Sequence, residues 1–147
     1  MPRYTLEELT EARKLAEKLQ LRGCWDFCGR PIEEVQKACN GIGPECFTDS
    51  VRKLLDARHD TLKIAAMIHD VQYTYGKGTW DDFKQANANL YYNGCELAKY
   101  RYSWYNPLRL VVMHDAGKLA NICEVFGWKS YLQAIEDRKA EEKSKDE

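Results

Sequence analysis

The sequence predicts an all-α domain, and three observations carry that reading. Helix starts are marked by capping residues. Apolar side chains recur every three or four positions, and no stretch alternates apolar and polar with a period of two. Thr5 and Glu8 form a capping box that opens the first helix, whose apolar stripe is Leu6, Leu9, Ala12, Ala16 and Leu19. Gly23 closes it. Residues 24–50 hold glycines, prolines and four of the six cysteines. They read mostly as loop, with a short helix over 31–38 that has Pro31 in its first turn. Asn40-Gly41-Ile42-Gly43-Pro44 is the densest cluster of backbone punctuation in the chain. Asp49 or Ser50 caps a short helix reaching Leu55. Residues 62–75 read as a buried helix with Ile64, Ala65, Ala66, Ile68 and Val71, ended by Gly76-Lys77-Gly78. Thr79, with Asp82 three positions later, starts the next helix. It extends to Tyr92 or Asn93, with a restart over 96–105, until Pro107 breaks the chain. Residues 108–126 form another helix, whose core candidates are Leu110, Val111, Ala116 or Gly117, Leu119, Ala120, Ile122 and Val125. Residues 136–147 are nearly all charged and read as a solvated helical tail.

The 147 residues fit one domain, placed at 1–135 with the tail beyond it. A chain of this size buries roughly 70% of the surface its unfolded form exposes, so it needs no bridges to fold. Free thiols and disulfides both remain open for the six cysteines at 24, 28, 39, 46, 95 and 123. The first pair is four apart, which is not the CxxC spacing usual for structural zinc. Lys and Arg number 22 and Asp and Glu 23, so the net charge is −1. Such balance offers no overall pull toward phosphates, which disfavours nucleic acid as a partner. The longest apolar runs, 64–68 and 110–113, are far too short for a transmembrane segment. No secretory leader is visible at the start, so the expected route is cytoplasmic synthesis with leaderless, phage or secretion-system delivery.

Each of the three histidines precedes an aspartate: His59-Asp60, His69-Asp70 and His114-Asp115. The first sits in a polar stretch that looks like exposed loop, and the third has no glycine loop near it in sequence. His69-Asp70 differs because it interrupts an apolar helix, where two polar groups need partners. Tyr73, four positions on, shares the His69 face, whereas Asp70 points about 100° away and can serve an adjoining site. On the next helix Asn87 falls inside the stripe of Phe83, Leu90 and Tyr91. Helices joined by a short glycine turn pack antiparallel, so Asn87 is expected to meet His69 or Tyr73. The plain reading is a structural polar network.

Cys39-Asn40-Gly41-Ile42-Gly43-Pro44, then Ala65-Ala66-Met67-Ile68-His69-Asp70-Val71-Gln72-Tyr73, then Asp82-Phe83-Lys84-Gln85-Ala86-Asn87-Ala88-Asn89-Leu90-Tyr91 resemble the phospholipase A2 superfamily, in its small bacterial and phage form. The resemblance covers about residues 39–95. It implies a phospholipase A2-like antiparallel helix pair carrying the His-Asp site, flanked by extra N- and C-terminal helices. It implies a calcium-dependent hydrolase that cleaves a glycerophospholipid acyl ester, and hence lipid degradation at a phospholipid surface. In that comparison His69 matches the base that activates water, Tyr73 the supporting tyrosine and Asp70 the carboxylate ligand of Ca²⁺. Carbonyl oxygens of Cys39, Gly41 and Gly43 match the calcium loop, and the Gly41 amide matches the oxyanion donor. With one carboxylate, affinity for Ca²⁺ is expected on the order of 10⁻⁴–10⁻³ M. This sequence departs from the best-known enzymes in two ways. Asn87 stands where they place a second aspartate, with Asp81 or Asp82 as an alternative orienter, and Pro44 replaces a loop glycine. Trp25, Phe27, Phe47, Tyr75 and Trp80 are candidates for a membrane-docking rim or for core.

Two other readings stand beside it. Ala65-Ala66-Met67-Ile68-His69-Asp70 also resembles the HD-type metal phosphohydrolases, with His59, His114 and Asp115 available to complete a metal shell. A catalytically silent binding or structural protein with the phospholipase fold is the third, favoured by Asn87.

Overall fold

The computed structural model describes residues 2–39 and 59–146. Among them the chain is all-helical: α1 Leu6–Leu19, α2 Cys24–Gly29, α3 Ile32–Cys39, α4 His59–Thr74, α5 Trp80–Arg101, α6 Pro107–Phe126 and α7 Trp128–Asp146. The Asn40–Pro44 cluster and the helix expected to end at Leu55 lie outside the described residues.

Local chemistry sets the helix starts. Thr5 and Glu8 form the full capping box of α1, and Gln20 closes it in the left-handed conformation. Gly23, expected as that closure, instead begins α2 at φ 84°. Thr79 Oγ1 accepts the Asp82 amide at the start of α5, and Asn106 Oδ1 accepts the Leu108 amide ahead of Pro107 in α6.

The structure revises several boundaries. The segment 24–29 is helical rather than loop, with Phe27 fully buried beneath it. The helix α4 starts at His59, so that residue opens a helix instead of sitting in a loop. No break divides α5, which continues through Arg101. The C-terminal helix begins at Trp128 and anchors through buried Tyr131 and Ile135 before its charged end emerges. Its far part touches the body where Lys37 pairs with Glu141.

The central helix is α5. Leu62 approaches Gly94 while His69 meets Asn87, so α4 and α5 run antiparallel. A Cβ on Gly94 would lie 2.6 Å from the Ala116 Cβ, and that bare position lets α6 cross α5 closely. The main core joins α1–α4 to Leu90 and Leu97 of α5 and to Leu119, Ala120 and Cys123 of α6. A second cluster fastens α7 to the chain reversal before α5, with Tyr131 against Tyr73 and Phe83. In α6 the buried face is Val112, Asp115, Ala116, Leu119, Ala120 and Cys123. Leu110, Val111 and Val125, expected in the core, are exposed, because the buried stripe of the helix runs through Val112, Ala116, Leu119 and Cys123 instead.

Candidate functional site

The polar centre is built on α4 and α5. His69 and Asn87 are buried, and His69 Nε2 lies 2.8 Å from Asn87 Oδ1. The same oxygen accepts the Tyr73 hydroxyl at 2.7 Å. The Tyr73 ring packs on the imidazole at a centroid separation of 4.1 Å and on Tyr131 at 5.2 Å. An amide oxygen has no proton to give, so both neighbours donate. Nε2 therefore carries the imidazole proton, and Nδ1 keeps the lone pair. Burial lowers the His69 pKa to about 4, with the Asn87 hydrogen bond opposing. The imidazole is therefore neutral at pH 7, and its burial makes protonation unfavourable.

Asp70, one residue on, stands near Arg3, Tyr4 and Cys39. Burial raises its pKa to about 7, against the pull of the Arg3 guanidinium. Its charge also reaches Tyr4 and Cys39, so the N-terminal segment and the last residue of α3 converge on this carboxyl. The buried Cys39 thiol donates to the Met67 carbonyl at 3.7 Å. The structure thus brings together His69, Tyr73 and Asn87, and beside them Asp70 and Cys39. Gly41 and Gly43 lie outside the described residues, as does Phe47.

Asp82 is not an orienter of His69. Its Oδ2 accepts the Lys77 amide at 2.9 Å and the Tyr131 hydroxyl at 3.0 Å. The Tyr131 oxygen in turn accepts the Gly78 amide at 2.9 Å. Asp82 is consumed in holding the turn ahead of α5, where Gly78 adopts φ 82°. Asp81 is exposed at the first turn of α5.

No three His, Cys, Asp or Glu side chains gather as a metal site among the described residues. His114 and Asp115 therefore do not join His69 and Asp70 in the shell that an HD-type enzyme needs. His114 is exposed on α6, and Asp115 is buried under the same helix. Cys24, Cys28, Cys39 and Cys95 are free thiols. Of the aromatic rim, Trp25 is 87% exposed and Trp80 50%, while Phe27 is core. Arg30 covers Tyr75, with the guanidinium carbon 3.5 Å from the ring centroid. No helix among the described residues is long and apolar enough to cross a membrane.

Two features of this region were missed in the sequence. Arg3 beside Asp70 is one, and nothing in its spacing points there. The other is Asn93, which grips the chain after α1 by accepting from the Arg22 amide and donating to the Arg22 carbonyl. Its signal was present: Asn87, Asn89 and Asn93 all sit within one long helix, where asparagine is a poor helix former.

The fold and site define an all-helical domain with a buried His-Asn-Tyr centre next to a carboxyl. No family model, curated protein or solved structure matches this chain.

Proposed function

We propose that this protein is a calcium-dependent phospholipase A2-type hydrolase, cleaving a glycerophospholipid acyl ester with water activated by His69. One observation carries the reading: Asn87 Oδ1 accepts from both His69 Nε2 and the Tyr73 hydroxyl, leaving Nδ1 as the acceptor. In the reaction Nδ1 takes a proton from water as the water oxygen attacks the ester carbonyl. The tetrahedral adduct then expels the alcohol oxygen, which receives the same proton back from Nδ1. Tyr73 keeps Asn87 in place, and Asn87 keeps the proton on Nε2. The amide brings no negative charge to the imidazolium, so proton uptake is harder here than beside a carboxylate.

The chemistry around Asp70 suits a hard cation. Its carboxyl is driven toward neutrality by burial, with the Arg3 guanidinium opposing. The carbonyl of Cys39, at the end of α3, is one of the last four that a helix leaves without an internal donor. Asp70 and the Cys39 carbonyl would contribute oxygens to a bound Ca²⁺. When bound, the ion would supply polarisation of the ester carbonyl.

The test is fatty-acid release from phosphatidylglycerol vesicles by the purified full chain, in millimolar calcium and in chelator. Release that needs calcium and falls at least about 100-fold in His69→Gln is the expected result. No release, or equal release by His69→Gln, overturns the proposal. The silent-fold reading is favoured by the neutrality of Asn87 and by the 4% exposure of His69. It expects no release under either condition.

A further inference from the structure

Asn87 has a second face. Its Oδ1 is occupied by His69 and Tyr73, but its Nδ2 is buried and finds no hydrogen-bond partner among the described residues. A buried N–H without an acceptor is costly, and an oxygen brought to it would recover that cost. Asn87 also lines a groove of about 700 Å³ along the α5–α6 seam, within the size range of small-molecule sites. With Oδ1 turned to His69, Nδ2 is the amide edge without a partner, and it lies buried in the residue at the groove wall. The groove walls are apolar at Tyr91, Leu110 and Met113, and cationic at Lys118, with His114 beside it. Leu110 is 70% exposed and Tyr91 46%, so two of the walls are themselves apolar surface left open to water. Glu124 lines the same groove and partly offsets the Lys118 charge.

We infer that this groove binds a single-chain amphiphile with one carboxylate, its chain along Leu110, Met113 and Tyr91 and a carboxylate oxygen on the Asn87 amide. Lys118 supplies the counter-charge. Because Asn87 also fixes the His69 tautomer, an occupant of the groove touches the residue that orients the imidazole. The site stands apart from the hydrolase reading and needs neither calcium nor turnover.

The probes are laurate below its micellar concentration and dodecyltrimethylammonium, which has the same chain and the opposite charge. Binding is measured by titration calorimetry in chelator without phospholipid, alongside the Asn87 side-chain NH₂ resonances in the full chain labelled with ¹⁵N-asparagine. Laurate is expected to bind saturably at one site and to shift those resonances downfield, with the cationic probe at least tenfold weaker. Ala88, exposed on α5 at the groove edge, allows Ala88→Trp to fill the groove without entering the core. That variant is expected to keep its melting temperature and lose laurate. Lys118→Gln is expected to bind laurate up to about fivefold more weakly, the size of one exposed ion pair. The inference is overturned by absence of saturable binding, by binding that survives Ala88→Trp, or by Asn87 resonances that stay fixed at saturation.

Discussion

Asn87 Oδ1 sits 2.8 Å from His69 Nε2, so an uncharged amide stands behind the imidazole. The hydrogen bond fixes which nitrogen carries the proton. It does little to stabilise a second proton, and burial holds the His69 pKa at about 4.

Replacing Asn87 by Asp puts a negative charge against Nε2 without changing the side-chain shape. The His69 pKa is expected to move up by roughly 1–3, as for an ion pair at close range. If the hydrolase reading holds, turnover rises with it, by about tenfold or more. Titrating the imidazole C–H resonances by NMR gives the first quantity, and fatty-acid release gives the second. A His69 pKa unchanged by Asn87→Asp would show that the amide does not set the ring's proton affinity.

Stability against pH follows from two opposed shifts. His69 drops from an ordinary 6.5 to about 4, so the unfolded chain binds a proton that the folded chain refuses. Its contribution is present above pH 6.5 and is lost as pH falls toward 4. Asp70 rises from 3.8 to about 7, so the folded chain keeps a proton that the unfolded chain releases. That contribution is present below pH 3.8 and is lost as pH rises through 7. Each slope is at most about 1.4 kcal/mol per pH unit, and between pH 4 and 6.5 they oppose each other. Urea midpoints of the parent protein, measured in chelator, are therefore expected to be nearly flat in that window. Those of Asp70→Asn should climb with pH, and those of His69→Gln should fall. Parallel profiles for the two variants would contradict the assigned burial.

The α5–α6 crossing rests on Gly94. Gly94→Ala adds helix propensity of about 1 kcal/mol, but its Cβ would stand 2.6 Å from that of Ala116. Overpacking costs about 1–3 kcal/mol, so the net change is expected to be a loss of roughly 1 kcal/mol. Adding Ala116→Gly reopens the space, and the pair should recover part of that loss by urea unfolding. Additive losses in the double variant would place the contact elsewhere.

Much of the fold was legible because its signals are local. Thr5 with Glu8, Thr79 with Asp82, and Pro107 satisfy or remove backbone donors within a turn of themselves, so those helix starts are read from neighbours in the chain. The meeting of His69, Tyr73 and Asn87 was also legible, since buried polar groups at helical spacing must find one another across a short turn. The α6 core face was misjudged because Leu110, Val111 and Val125 are as apolar as the residues beneath them. Only the position of α5 decides which side is covered.

The sequence by itself determined an all-helical chain, most of its helix starts, and an imidazole, a phenol and an amide that needed each other. Tertiary structure alone decided that Asp82 belongs to Tyr131 and the turn, that Arg3 and Cys39 come to Asp70, and that the second edge of Asn87 is left unpaired at a groove. The physical reason is range. A cap or an apolar stripe is settled within one turn of helix, whereas a carboxylate, a thiol or an amide edge takes whatever partner distant segments bring to it.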